Sequence, residues 1–169
     1  SKHKSALYIS TEDDKEAIAY LLNKQKDEEV AIEKYKNLRF IFDSSDLVNK
    51  IDNELKTNPA DCVIIDAFTD VYDGEMNAVN KVRHFLNRFS ILAYQHNCLF
   101  IFLHHTGKRT EMLPPSKDNL LGSQGFEGKM RLVIELRKDN STPSKRHLCI
   151  VKGNYITEEF KKESYVLEF

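Results

Sequence analysis

Cys62-Val63-Ile64-Ile65-Asp66 decides the fold. Four apolar residues run without polar alternation and end on a carboxylate, which is the texture of a central parallel strand covered on both faces. Pro59 marks a break just before it. Upstream, Ser5-Ala6-Leu7-Tyr8-Ile9-Ser10 is a short apolar run that gives way to Thr11-Glu12-Asp13-Asp14, whose hydroxyl and carboxylates suit a helix N-terminus. Ile18, Leu21 and Leu22 then fall on one helical face, and the charged run 24–29 reads as a solvated or fraying end. The unit repeats at 38–42, with Ser44-Ser45-Asp46 as capping residues before Leu47, Val48, Ile51 and Leu55 at helical spacing.

Downstream, a long helix is predicted over about 75–96, with Met76, Val79, Val82, Leu86, Phe89 and Leu92 near one stripe. Residues 98–103 supply another fully apolar strand. Strands alternating with helices imply right-handed crossovers, hence an α/β fold with a mainly parallel sheet and helices on both faces. The texture changes after His104-His105. Residues 106–128 hold four glycines and two prolines without sustained periodicity, and a connection of that length is expected to be functional or mobile. Strands at 130–137, 147–151 and 165–169 complete the chain as an antiparallel C-terminal extension.

Composition bounds the function. A chain of 169 residues, 41% hydrophobic and 30% charged, is long enough for one domain over 1–169 with a sizeable core. A net charge of −1 provides no global electrostatic case for nucleic acid or membrane, so any basic surface is local. Cys62, Cys98 and Cys149 lie far apart in apolar segments without metal spacing, so neither a disulfide nor a zinc site is expected. The apolar run 98–103 is far short of the ~20 residues of a membrane span. Ser1-Lys2-His3-Lys4 leads into no signal-peptide core, and the expected location is cytoplasmic.

In an open parallel sheet, ligands bind outside the carboxyl ends of the strands, where loops and helix N-termini converge. Three polar signals fall at such ends: Glu12, Asp66 and the pair His104-His105. A rigid strand ending in aspartate suits a magnesium-nucleotide site, because it holds a carboxylate toward the metal's water shell.

The ordered series Ala6–Asp13, Cys62–Asp66, Phe102–Lys108, Leu121-Gly122-Ser123 and Ile150–Tyr155 resembles the RecA-like ATPase superfamily. Within it, the series is most similar to the DnaB-like and RepA-like hexameric helicases and their RadA/KaiC-type relatives. The resemblance implies ATP and magnesium as cofactors and a homo-oligomeric ring or filament with sites between subunits. By it, Glu12 looks like the catalytic glutamate that activates water, and Asp66 like the Walker B aspartate. His105 matches the polar sensor position, with His104 as its substitute. Lys152 is similar to the basic residue such rings insert into a neighbour's site, a solvated strand-end lysine being the plain alternative. Lys108, Arg109 and Lys117, with the Ser123-Gln124 stretch, resemble the loops that contact single-stranded DNA. Lys129, Arg131, Lys145 and Arg146 read equally as solubilising surface charge.

The family's GxxxxGK[ST] strand, loop and helix are absent from the sequence. Without those amides and that lysine there is no cradle for the β- and γ-phosphates, so these 169 residues are expected to be inactive alone and to hold no nucleotide tightly. A fragment of a longer ATPase is the preferred reading, and an exposed apolar sheet edge is its expected consequence. A non-catalytic RecA-like assembly or regulatory module is the alternative. A metallohydrolase built on His104, His105 and Asp66 is a third reading, disfavoured because adjacent strand-end residues point opposite ways.

Overall fold

The computed structural model describes residues 3–24, 35–108, 110–121 and 124–169. Most of the charged run 24–29 therefore lies outside the described residues, as do Arg109, Gly122 and Ser123. The chain forms two compact units, Ser1–Asp73 with His84–His104, and Gly74–Arg83 with His105–Phe169.

The first unit contains β1 (Ala6–Ser10), α1 (Lys15–Lys24), β2 (Leu38–Ile41), α2 (Leu47–Thr57), β3 (Cys62–Asp66), the single turn α3 (Phe68–Val71), most of α4 (Val79–His96) and β4 (Leu99–Phe102). Its four strands are all parallel, in the order β2-β1-β3-β4. The α/β expectation holds, with β3 central as its apolar run requires.

Burial along these strands alternates. Leu7, Ile9, Val63 and Ile65 are fully buried on one face, against Leu47, Ile51 and Leu55 of α2 and Phe89 and Leu92 of α4. Each such side chain contributes about 1.5–3 kcal/mol when fully buried. Phe68, Phe89 and Phe102 interlock edge to face in this layer, with ring centroids 5.4 to 5.9 Å apart. The opposite face is thinner. Tyr8, Cys62 and Ile64 are half-buried, Leu99 and Ile101 of β4 are 60% and 39% exposed, and no residue of α1 is fully buried. The even burial expected of 62–66 and 98–103 thus gives way to one dense and one thin layer. The strands are apolar on both faces, and that pattern does not say which face a helix covers.

Helix boundaries follow local chemistry. Asp14 caps α1, its Oδ1 accepting from the Ala17 amide at 2.8 Å. Asp46 sits at the N-cap of α2 with φ of 46°, and its carboxylate takes the Asn49 side-chain amide instead of a backbone N–H. The stretch 75–78 is a turn, closed by Ala78 N–H to Glu75 O at 2.9 Å, so α4 starts later than its apolar stripe suggests.

In the second unit, α5 (Gln124–Lys129) precedes an antiparallel sheet of β5 (Leu132–Lys138), β6 (Lys145–Gly153) and β7 (Ser164–Glu168), with β6 in the middle. The antiparallel strands are as expected, but they bond as a sheet of their own. The long connection 106–121 is pinned. Thr106 bridges Leu120, and the carboxylate of Glu135 on β5, only 8% exposed, accepts from the Ser116 amide at 3.0 Å and the Asn119 side chain at 3.1 Å. Arg137 neutralises that carboxylate at 2.7 Å and donates to the Thr110 carbonyl at 3.1 Å. Glycine and proline content flags such a loop but not the buried acid on a distant strand that organises it. At the β5–β6 turn, the Asp139 carboxylate accepts from Ser141, Thr142 and the His147 ring, which hold it well below the usual carboxylate range, His147 first among the causes.

Removing the Glu135 carboxylate leaves Arg137 and the Ser116 amide without their buried acceptor. Glu135→Ala is expected to lower stability by about 3 kcal/mol in denaturant titration, and hydrogen exchange is expected to speed up at the amides of Gly107 and Ser116. Unchanged exchange in that loop would refute its dependence on Glu135.

Candidate functional site

β1 and β3 are hydrogen-bonded neighbours with Ser10 opposite Asp66, so the segments that follow them leave the same edge of the sheet side by side. Thr11 joins the two exits. Its amide donates to the Asp66 carbonyl at 2.7 Å. Its hydroxyl accepts from the Ala67 amide at 2.9 Å and lies 2.9 Å from the Asp66 carbonyl and 3.0 Å from Asp70 Oδ2, donating to one of these. The buried Ser10 hydroxyl donates to the Asp13 carbonyl at 2.6 Å and fixes the turn that carries Glu12.

Tyr8 is the residue that sequence reasoning missed. It lies on the same strand face as Ser10, two residues upstream, and its hydroxyl donates to Asp66 Oδ2. Burial foremost, then the hydrogen bond and charge of Asp66, then the charges of Asp13 and Glu12, push the Tyr8 hydroxyl well above the ordinary tyrosine range. All three carboxylates therefore act on one phenol. A tyrosine inside an apolar strand was the available signal, because a half-buried phenol hydroxyl needs a partner. Finding that partner required the β1–β3 register.

Asp66 keeps Oδ2 on Tyr8, and no hydrogen bond among the described residues occupies Oδ1. That arrangement suits a carboxylate that reaches a magnesium ion through its water shell. Among the described residues, no group of three or more His, Cys, Asp or Glu side chains is spaced to hold a metal directly. The two histidines part company: the half-buried His104 ring stands edge-on to Phe68 at 5.6 Å in the first unit, while His105 is exposed in the second. Those placements give a metallohydrolase site no support.

The other predicted residues belong to the second unit. Lys108 is exposed in a turn, Gln124 opens α5, and Lys117 lies in a short 3-10 turn with Nζ 3.7 Å from Glu127. Lys152 pairs with Glu127 Oε1 at 3.1 Å and donates to the Glu127 carbonyl at 2.7 Å. Just beyond it, a Cβ on Gly153 would stand 2.9 Å from the Ile156 side chain, which would have to shift to admit a larger residue. Arg109 and Ser123 lie outside the described residues. Among the described residues, no helix is long and apolar enough to cross a membrane.

The structure is of the open parallel α/β kind, in which ligands bind outside the carboxyl edge of the sheet. The model of the AAA domain family (AAA_25) matches residues 1–111, more than half of the sequence, and the chain belongs to this family of ATPase-type domains. No curated protein matches it.

Two measurements probe the edge. Because folding raises the Tyr8 pKa, its contribution to stability is full below about pH 10 and is lost as pH rises through the folded value. Tyrosinate absorbance is expected to show a late alkaline component that vanishes in Tyr8→Phe. Thr11→Val strands the Ala67 amide and is expected to cost about 1–3 kcal/mol of stability, read as a lower denaturation midpoint. A Thr11→Val protein of wild-type stability would show that the clip contributes little.

Proposed function

We propose that the chain is the ATPase core of a DNA replication, mobilisation or repair protein, working as a ring or filament with nucleotide sites between subunits. The observation that carries the reading is the Tyr8–Asp66–Thr11 cluster beside Glu12, at the edge where an ATPase-type domain holds its nucleotide. In this reading ATP and magnesium, when bound, supply the phosphoryl group and the charge that offsets its departure. Glu12 takes the proton of the attacking water. Asp66, held by Tyr8, orders the metal's water shell. His105 is favoured as the sensor over His104, because the His104 ring is engaged with Phe68 while His105 is exposed. Lys152 supplies a cation to the neighbouring site, and Lys108, Arg109, Lys117, Ser123 and Gln124 line the path of single-stranded DNA.

The phosphate cradle then comes from a segment outside these 169 residues. Leu99 and Ile101 of β4 and the following Leu103 support this, for they leave apolar side chains exposed at β4, the outermost strand of this sheet among the described residues. The same edge also favours a second reading, a non-catalytic assembly module that associates through it.

ATP hydrolysis by the natural full-length chain, with and without single-stranded DNA, separates the two. Turnover stimulated by DNA and lowered about 100-fold or more by Glu12→Gln and by Asp66→Ala is expected. A folded full-length protein with a phosphate-binding loop and no turnover would leave the assembly module as the better account.

A further inference from the structure

Glu127 is shared by two lysines held with unequal strength. Lys152 grips it twice, through Oε1 at 3.1 Å and the backbone carbonyl at 2.7 Å, with its side chain 19% exposed. Lys117 approaches the same oxygen at 3.7 Å from a side chain 48% exposed. The register of the sheet brings Lys152 there. Val133 pairs with Lys152, but the next residue, Ile134, pairs with Ile150, so Val151 is an extra residue in β6. This irregularity turns Lys152 onto the covered side of the sheet with Val133 and Glu135, where unbroken alternation would leave it beside Ile134 and Leu136, which are 47% and 59% exposed.

We propose that Glu127 and Lys117 form a partner-exchange device that keeps Lys152 withdrawn until a polyphosphate on a neighbouring copy draws it out. The identity of that polyphosphate rests on the functional reading above; the exchange itself does not. Taking one partner from a largely buried ion pair is costly because the other charge is left uncompensated. Lys117 lowers that cost by closing on Glu127 as Lys152 leaves. A lysine suits this exchange, as its four-carbon stem swings and its ammonium accepts any geometry of oxygens. Glu127 acts through Lys152 and is a positioning residue. At an empty neighbouring site it keeps the cation from being spent, and a triphosphate, carrying several charges against one carboxylate, overcomes it.

The test reads the amine reactivity of Lys152 in the 169-residue chain. An N-hydroxysuccinimide ester labels the protein, peptide mass spectrometry quantifies each lysine, and the remaining lysines serve as the internal standard. Glu127→Gln is expected to raise Lys152 labelling several-fold. Lys117→Met, at an exposed side chain with little effect on folding, is expected to lower it, because the release is no longer compensated. Labelling that is unchanged or raised in Lys117→Met overturns the exchange. Full-length protein adds the second arm, with basal ATP turnover raised by Glu127→Gln and lowered by Lys117→Met. If labelling shifts as expected while no variant hydrolyses ATP, the exchange stands and the ATPase reading falls.

Discussion

Everything at the candidate site depends on the clip between the ends of β1 and β3. Ser10 stands opposite Asp66, and Thr11 binds the Asp66 carbonyl and the Ala67 amide at once. Two strands far apart in sequence thereby deliver their following residues to one place. One threonine hydroxyl and one amide fix the relation between Glu12, on the segment leaving β1, and Asp66, at the end of β3. Tyr8 extends the clip one pleat down the sheet and holds Asp66 from the side. The clip needs rigid support, because its partners come from strands far apart in the chain.

That support is lopsided. The dense layer of Leu7, Ile9, Val63 and Ile65 with α2 and α4 anchors the strands from one side. The other face has Tyr8 and Ile64 half-buried and the side chains of β4 exposed. The second unit shows a related asymmetry. Its sheet covers a polar face, with Glu135 among its most buried side chains, and leaves Leu132, Ile134 and Leu136 exposed on the other.

Much of the first unit was legible from residues alone. Cys62–Asp66 declared a central parallel strand, and Leu47, Ile51 and Leu55 declared a helix with one buried stripe. Strand ends located Glu12, Asp66 and the histidine pair. In the second unit, strands 132–138, 145–153 and 164–168 were legible within a residue or two at most ends. Less could be read where distant partners decide. The connection 106–128 read as functional or mobile without sign of α5 at 124–129 or of its organiser, Glu135, which lies on a later strand. Lys152 was visible as a strand-end cation, but nothing in Val151-Lys152-Gly153 announces the irregularity that turns it toward Glu127.

By itself, then, the sequence determined the α/β class, the order and type of most elements, and the chemistry available at the strand ends, because hydrophobic period and capping residues act over neighbouring positions. Tertiary structure alone decided which sheet face is dense, that Tyr8 holds Asp66, that His104 packs on Phe68 while His105 stays exposed, and that Lys152 is bound to Glu127. Each of these depends on the register between segments distant in the chain. A one-residue change of register reverses the direction of a side chain without altering any local pattern.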